Sequence, residues 1–350
     1  MRIFAIAFAV LALAIIIVPR VPAVQDILFE GALDKAIGRP SAELFDGDGL
    51  KVFFCGTGSP LPSKVRAQTC TAIFAGDKFF LVDAGTGSWE NIAAAGIPGA
   101  RLGAILLTHL HSDHIGDLSE ANLGSWVGGR PEPLRVYGPS GLNGVIAGEN
   151  EAYAADNSYR TAHHGEDVAP TATAGMVALV FNADEPIVVY DAGGMKVTAF
   201  EVEHAPVAGA VGYRFDYKGR SIVISGDTAY SETLIENAKA ADLLIHEAQA
   251  NHMVAKMQAA AEKAGAANSA KIFADIPTYH TTPEEAARAA NKAGVDWLVL
   301  THLTPAPDNR MARRIFMRGV SKVRGRHVKL ADDGLFIELP EQGGVKFSRR

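Results

Sequence analysis

Between residues 51 and 137 the apolar positions fall into short runs broken by Gly, Asp and Ser: Lys51–Cys55, Thr71–Ala75, Lys78–Asp83, Ala104–Leu107 and Leu134–Tyr137. Runs this short, rich in Val, Ile and Phe and bounded by turn residues, predict β-strands. A second series follows at Met195–Glu203, Val211–Tyr217, Arg220–Ser225, Asp242–His246 and Trp297–Thr301. The pair flanking Lys218-Gly219 reads as a hairpin. Ala, Leu and Met recur at helical spacing over Ser88–Ala95, Ser231–Ala240, Asn251–Ala264 and Pro283–Ala293. Strands interleaved with helices predict an α/β domain, a two-sheet sandwich with outer helices. From Gly138 to Ala192 the chain is rich in Gly, Ala and Asn with no clear period, and this stretch is expected to be a substrate-facing insertion.

The first residues carry a different pattern. Ile3–Val18 is an unbroken apolar run after Met1-Arg2, ended by Pro19-Arg20. It reads as a signal peptide or a signal anchor, an apolar helix, with an uncleaved anchor preferred because the prolines around Val21-Pro22-Ala23 make a poor cleavage sequence. A buried core helix is the alternative. The expected organisation is a signal segment at 1–24, a linker at 25–47, a catalytic domain at 48–340 and a tail at 341–350. The expected location is the periplasmic face of the inner membrane, or the periplasm itself if the segment is cleaved.

The strongest chemical signal is Thr108-His109-Leu110-His111-Ser112-Asp113-His114, three imidazoles and a carboxylate in six residues after an apolar strand. Borderline divalent ions take such ligands, and this spacing lets His109 and His111 point one way while Asp113 and His114 point another. Three more strand-like runs end on polar residues: His204, Asp227 and His302. Alone, His204 or His302 reads as an ordinary surface or core histidine, and Asp227 as the cap of a helix near Tyr230. Together they complete a two-metal ligand set. Two divalent ions about 4 Å apart repel unless anions lie between them, so a shared carboxylate and a shared hydroxide are required, and that hydroxide is a nucleophile at neutral pH.

The order His109, His111, Asp113, His114, His204, Asp227, His302 resembles the metallo-β-lactamase superfamily, over about Lys51 to Glu338. Within it, Gly56-Thr57-Gly58-Ser59-Pro60, Leu81-Val82-Asp83-Ala84-Gly85-Thr86-Gly87, Ser225-Gly226-Asp227-Thr228 and Tyr279-His280-Thr281-Thr282-Pro283 resemble the branch of ribonuclease Z and the metallo-arylsulfatases. The resemblance implies a four-layer αβ/βα sandwich. It implies two Zn²⁺ per chain, with Mn²⁺ or Fe as alternatives: one held by His109, His111 and His204, the other by Asp113, His114 and His302, with Asp227 between them. It also implies that His280 protonates the leaving group or stabilises the oxyanion. Asp113 would orient the attacking water or take its proton. The alternative for His280 is a helix-capping surface residue.

Charge and spacing then select a substrate. The chain carries a net charge of −6, and its basic residues cluster only from Arg313-Arg314 to Arg326 and at Arg349-Arg350, which argues against nucleic acid as a partner. In the tRNA-processing members of the branch, a long Gly/Pro- and Lys-rich arm lies between the residues matching His204 and Asp227; here 22 residues separate them. The expected substrate is therefore a small ester, a phosphodiester or an aryl sulfate. The alternatives are a ribonuclease Z-like endoribonuclease, a lactonase, or a non-catalytic metal-binding protein. Arg160, His163 and His164 are candidate substrate contacts within the 138–192 stretch, or else part of a solvated loop. Cys55 and Cys70 are expected to be buried thiols, with a single bridge left open. The membrane, through the N-terminal run, and a homodimer complete the expected partners.

Overall fold

The computed structural model describes residues 20–36 and 42–350. The chain divides into two units, 1–42 and 43–350. In the first, the helix Pro22–Ala36 leaves Ile27, Leu28 and Phe29 exposed. The apolar run Ile3–Val18, and with it the expected N-terminal apolar helix, lies outside the described residues, and among the described residues no helix is long and apolar enough to cross a membrane.

The second unit holds two mixed sheets. The eight-stranded sheet runs, in sequence order, through β1 (Gly49–Gly56), β2 (Cys70–Ala75), β3 (Lys78–Val82), β4 (Leu102–Leu106), β5 (Leu134–Gly138) and β6 (Met176–Val180), and is completed by β14 (Leu335–Pro340) and β15 (Lys346–Arg349). The seven-stranded sheet contains β7 (Ile187–Ala192), β8 (Met195–Glu201), β9 (Val211–Tyr217), β10 (Arg220–Ile224), β11 (Leu243–Gln249), β12 (Trp297–Thr304) and β13 (Val328–Leu330). Alternation along the strands builds the layers. On β1, Leu50, Val52 and Phe54 pack between the sheets against Val197, Tyr213, Phe215 and Ile245. Phe53 and Cys55 face the other way, into a core shared with Ile92, Leu118, Leu142 and Ile146 of the outer helices. The second sheet is covered likewise by Leu234, Ile235, Phe316 and the Ala-rich face of the helix Pro283–Ala293. Strands covered on both faces become continuous apolar runs, which is why the sequence marks them so clearly.

Helix Pro283–Ala293 has its ends written into the sequence. Thr282 and Glu285 form a reciprocal capping box, Pro283 opens the first turn, and Gly294 closes the helix at φ 70°. The hairpin between β9 and β10 turns through Lys218 (φ 46°) and Gly219 (φ 77°), as its length predicts.

Two expectations are corrected. The stretch 138–192 is folded into the sandwich: it forms helices Leu142–Ala152 and Ala154–His164, and strands β6 and β7, the outermost strands on one side of both sheets. As edge strands they leave Val177, Val180, Ile187 and Val188 exposed, so the apolar signal that marks a central strand is diluted. Cys55 and Cys70 are joined as a disulfide. Between Phe54 and Gly56 the β1–β2 register shifts, and Gly56 pairs with Cys70; this brings Cys55 to a Cα–Cα distance of 5.1 Å from it.

Candidate metal centre

All seven candidate ligands meet at one edge of the sandwich, where strands of both sheets end. His109 and His111 follow β4, and Asp113 and His114 lie in the single turn Ser112–Ile115. His204 follows β8, Asp227 follows β10, and His302 lies in β12. At His302 the pairing with β11 slips: Glu247 faces Thr301 while Ala248 faces Leu303, and His302 takes φ 45°. A bulge of this kind re-aims one side chain without ending the strand, and here it turns His302 onto the cluster.

Asp227 occupies the middle. Its Oδ2 lies 3.3 Å from His302 Nε2, 3.4 Å from His114 Nε2, 3.9 Å from His109 Nε2 and 4.0 Å from His204 Nε2. Asp113 Oδ2 accepts from His302 Nε2 at 3.2 Å and lies 3.6 Å from His114 Nε2. The donor atoms form two groups, His109, His111, His204 with Asp227, and Asp113, His114 with His302. His114 Nε2, His204 Nε2 and Asp227 Oδ1 are buried with no hydrogen-bond partner among the described residues. Buried polar atoms of this kind are costly unless something satisfies them, and a divalent cation bound by imidazole and carboxylate fits all three.

Charge within the cluster is divided in the same way. Burial, reinforced by neighbouring imidazoles, holds His109 well below the ordinary histidine range, and burial also lowers His111 and His204, so all three present lone pairs. Burial also opposes charge on His114 and His302. There the carboxylates win: Asp227 and Asp83 raise His114, and Asp227 and Asp113 raise His302. Asp227 itself is held far below the carboxylate range, because the charges of His302 and His114 outweigh its burial. Positive charge is thus wanted at the centre of the cluster.

Residues outside the predicted set hold the ligands in place. Asp83, at φ 60° after β3, accepts from His114 Nδ1 at 2.9 Å and from the Thr108 backbone N–H at 2.8 Å. The Tyr279 carbonyl lies 3.1 Å from His204 Nδ1. Such contacts fix ring orientation and tautomer. Glu247, which sequence reasoning missed, is almost wholly buried on β11; its Oε1 accepts from His280 Nδ1 at 2.9 Å, Thr281 N–H at 3.0 Å and Thr228 N–H at 3.2 Å. The signal was present as the polar pair His246-Glu247 directly after the apolar run Leu243–Ile245.

His280 stands beside the cluster, its ring centroid 5.4 Å from His204 and 5.7 Å from His302. Burial works against its charge, yet Glu247 outweighs it and the pKa is raised to about 9. One of its ring nitrogens also groups with Asp227 and His302. Arg160, His163 and His164 are not brought to the cluster. They lie on the helix Ala154–His164, where Arg160 pairs with Asp156 at 2.7 Å and the ring centroids of the two histidines are 6.0 Å apart.

Residues 78–303 match the family described as Beta-lactamase superfamily domain. Ribonuclease Z of Mycolicibacterium paratuberculosis is 38% identical over 260 residues, covering 73% of this chain and 87% of that protein. Ribonuclease Z of Mycobacterium bovis is 36% identical over 266 residues, with the same coverage. Among solved structures, human tRNase Z, short form, superposes with a TM-score of 0.59 at 25% identity, covering 83% of this chain and 99% of that one. The Bacillus subtilis metallo-β-lactamase fold protein YhfI gives 0.59 at 22% identity, with 83% and 100% covered, a likeness of fold.

These findings overturn three expectations. Relatives this similar carry the name of a ribonuclease, so the exclusion of nucleic acid on the acidic charge balance does not stand. Net charge is a sum over the whole surface and says little about one face of it. On those relatives the anchored periplasmic location and the membrane as a partner do not stand either; among the described residues no helix is long and apolar enough to cross a membrane.

Proposed function

Because the chain belongs to the metallo-β-lactamase superfamily and is a metal-dependent hydrolase of ester bonds, we propose that it is an endoribonuclease of the ribonuclease Z type, cleaving phosphodiesters in RNA. The observation that carries this reading is Asp227 set among four imidazoles, with the Glu247–His280 pair beside them, in a chain 38% identical to a ribonuclease Z.

His109, His111 and His204 would hold one divalent ion, Asp113, His114 and His302 a second, and Asp227 would lie between them. When bound, such ions polarise a phosphoryl oxygen and make hydroxide available at neutral pH. The chain's own groups do the rest. Asp113 takes the proton of the attacking water as its oxygen bonds to phosphorus. Glu247 keeps the His280 ring oriented and protonated at neutral pH, so the ring gives its proton to the departing sugar oxygen as the P–O bond breaks. Thr281 fixes the segment that carries His280: its hydroxyl donates to the Thr228 carbonyl at 2.6 Å, and its own carbonyl accepts from Gln249 N–H at 2.8 Å.

The test is an assay of the purified, metal-analysed protein on an RNA hairpin with a 3′ single-stranded extension, beside an aryl phosphodiester, an aryl sulfate and a lactone. Endonucleolytic cleavage of the RNA that is lost in Asp227→Ala, together with its bound metal, is the expected result. Hydrolysis of the sulfate or the lactone with no cleavage of RNA would reject the ribonuclease reading.

A further inference from the structure

The longer of the two basic clusters in the sequence has no part in the metal centre. Residues 309–331 contain eight Arg and Lys and no acid, whereas the rest of the chain carries 39 acidic against 25 basic side chains. Three of the eight are occupied: Arg313 pairs with Asp332, Arg324 donates to backbone carbonyls, and Lys329 lies over the Phe347 ring. The other five, Arg310, Arg314, Arg318, Lys322 and Arg326, are exposed, and among the described residues none makes a side-chain hydrogen bond or ion pair. They recur at every fourth position. Cations left without counter-charges on an otherwise acidic protein present a concentrated positive field.

Topology fixes where this tract runs. β12 ends at Thr304, at the edge that holds His302, and β13 lies beside β12 in parallel, with Leu298 opposite Val328 and Leu300 opposite Leu330. The chain between them must return from the metal edge to the far edge across the outer face of the sheet. Phe316 and Val320 anchor it there, in the core behind the sheet. Its start is tied to the rim of the cleft, since Asp308 accepts from Ser63 Oγ at 2.9 Å and lies 3.4 Å from Arg66 Nε, while neighbouring Gly58 bridges to Leu303. The five cations therefore form a track leading away from the metal centre over roughly 20 Å, the length of a seven-residue strand.

We propose that this track grips the phosphate backbone of the RNA whose end lies in the metal centre, on the assumption that the substrate is RNA as argued above. The hairpin between β9 and β10 supplies no basic arm between His204 and Asp227, and the track supplies the missing electrostatic hold from a different part of the fold. A nucleic-acid duplex carries a charge roughly every 2 Å along its axis, so a track of this length meets enough phosphates to engage all five cations. The contacts are to backbone, and confer affinity and orientation without reading sequence.

The test combines Arg314→Gln, Arg318→Gln, Lys322→Gln and Arg326→Gln in one variant, with a charge-keeping control in which each Arg becomes Lys and Lys322 becomes Arg. The binding of a labelled RNA hairpin is measured against salt concentration, and turnover is measured on bis(p-nitrophenyl) phosphate. The Gln variant should bind RNA about tenfold or more weakly at low salt, with the log–log salt slope shallower by about 3, the value for four lost phosphate contacts. Its turnover of the small diester should be unchanged, and the control should bind like the parent. Unchanged RNA affinity and slope would overturn the proposal, as would an equal loss on the small diester. Binding to anionic phospholipid vesicles with none to RNA would overturn it too. A parent that binds RNA through the track and leaves it uncut would instead reject the ribonuclease reading and keep the track.

Discussion

Glu247 uses a single oxygen, Oε1, to hold His280, the Thr281 amide and the Thr228 amide together, so its charge and its geometry act on the same ring. A buried carboxylate oxygen needs hydrogen-bond donors, and Oε1 has three. The consequence is testable by leaving group. His280→Ala should keep the bound metal and lose roughly a hundredfold or more in turnover on an alkyl phosphodiester, the usual scale for a positioned acid. A nitrophenyl ester, whose leaving group needs little protonation, should suffer much less. Glu247→Gln should reproduce the same pattern more weakly. Equal losses on both esters in kcat would assign His280 to oxyanion stabilisation, and loss of metal in His280→Ala would make it a ligand beside Asp227 and His302.

Among the elements, the segment from Gly56 to Thr69 depends most on contacts distant in sequence. Arg66, buried, bonds Thr57 Oγ1, the Ala331 carbonyl and Asp332, and Asp333 accepts from Thr57 and from the Ala67 amide. Breaking a buried ion pair costs about 3–5 kcal/mol; Asp332 is more than one-third exposed, so Arg66→Ala should cost about 2 kcal/mol. Burial would raise the Asp332 carboxyl, but the hydrogen bonds and charges of Arg313 and Arg66 win and lower it. A folded-state value below the unfolded one stabilises the protein above the unfolded carboxyl value of about 3.9, and this is lost as pH falls through the folded value. Thermal melts of the parent and Arg66→Ala should therefore differ by a constant amount near neutrality and converge below about pH 4. A gap that persists undiminished at pH 3 would show that packing of the Arg66 stem, and not charge, holds this segment.

For the whole molecule, what matters is that the candidate ligands come from both sheets. The His109–His114 segment follows β4 of the eight-stranded sheet, and His204, Asp227 and His302 belong to the seven-stranded one. An ion held by both would bind the folded state and not the unfolded chain, adding about 2.7 kcal/mol at a hundredfold excess over its Kd. Zinc should raise the melting temperature by about 5 °C over a chelator-treated sample, and Asp227→Ala should abolish that difference. A parent protein whose melting temperature ignores both zinc and chelator would remove the cation from the cluster.

The sequence by itself determined the parts whose signal is local. Strands covered on both faces read as apolar runs, the capping box and Gly294 marked one helix, and the His109–His114 spacing marked the chemistry, because period, cap and motif are all set by near neighbours. Only the tertiary structure decided the rest. Edge strands β6 and β7 lack the double burial that writes a strand into the sequence. The Cys55–Cys70 bridge depends on a register shift between two strands. Glu247 gains its role from His280, 33 residues away and on another element. The basic residues at 310–326 form a track only because β13 returns beside β12. Each of these rests on contacts between residues far apart in the chain, and such contacts are fixed by packing whole layers together rather than by the residues on either side.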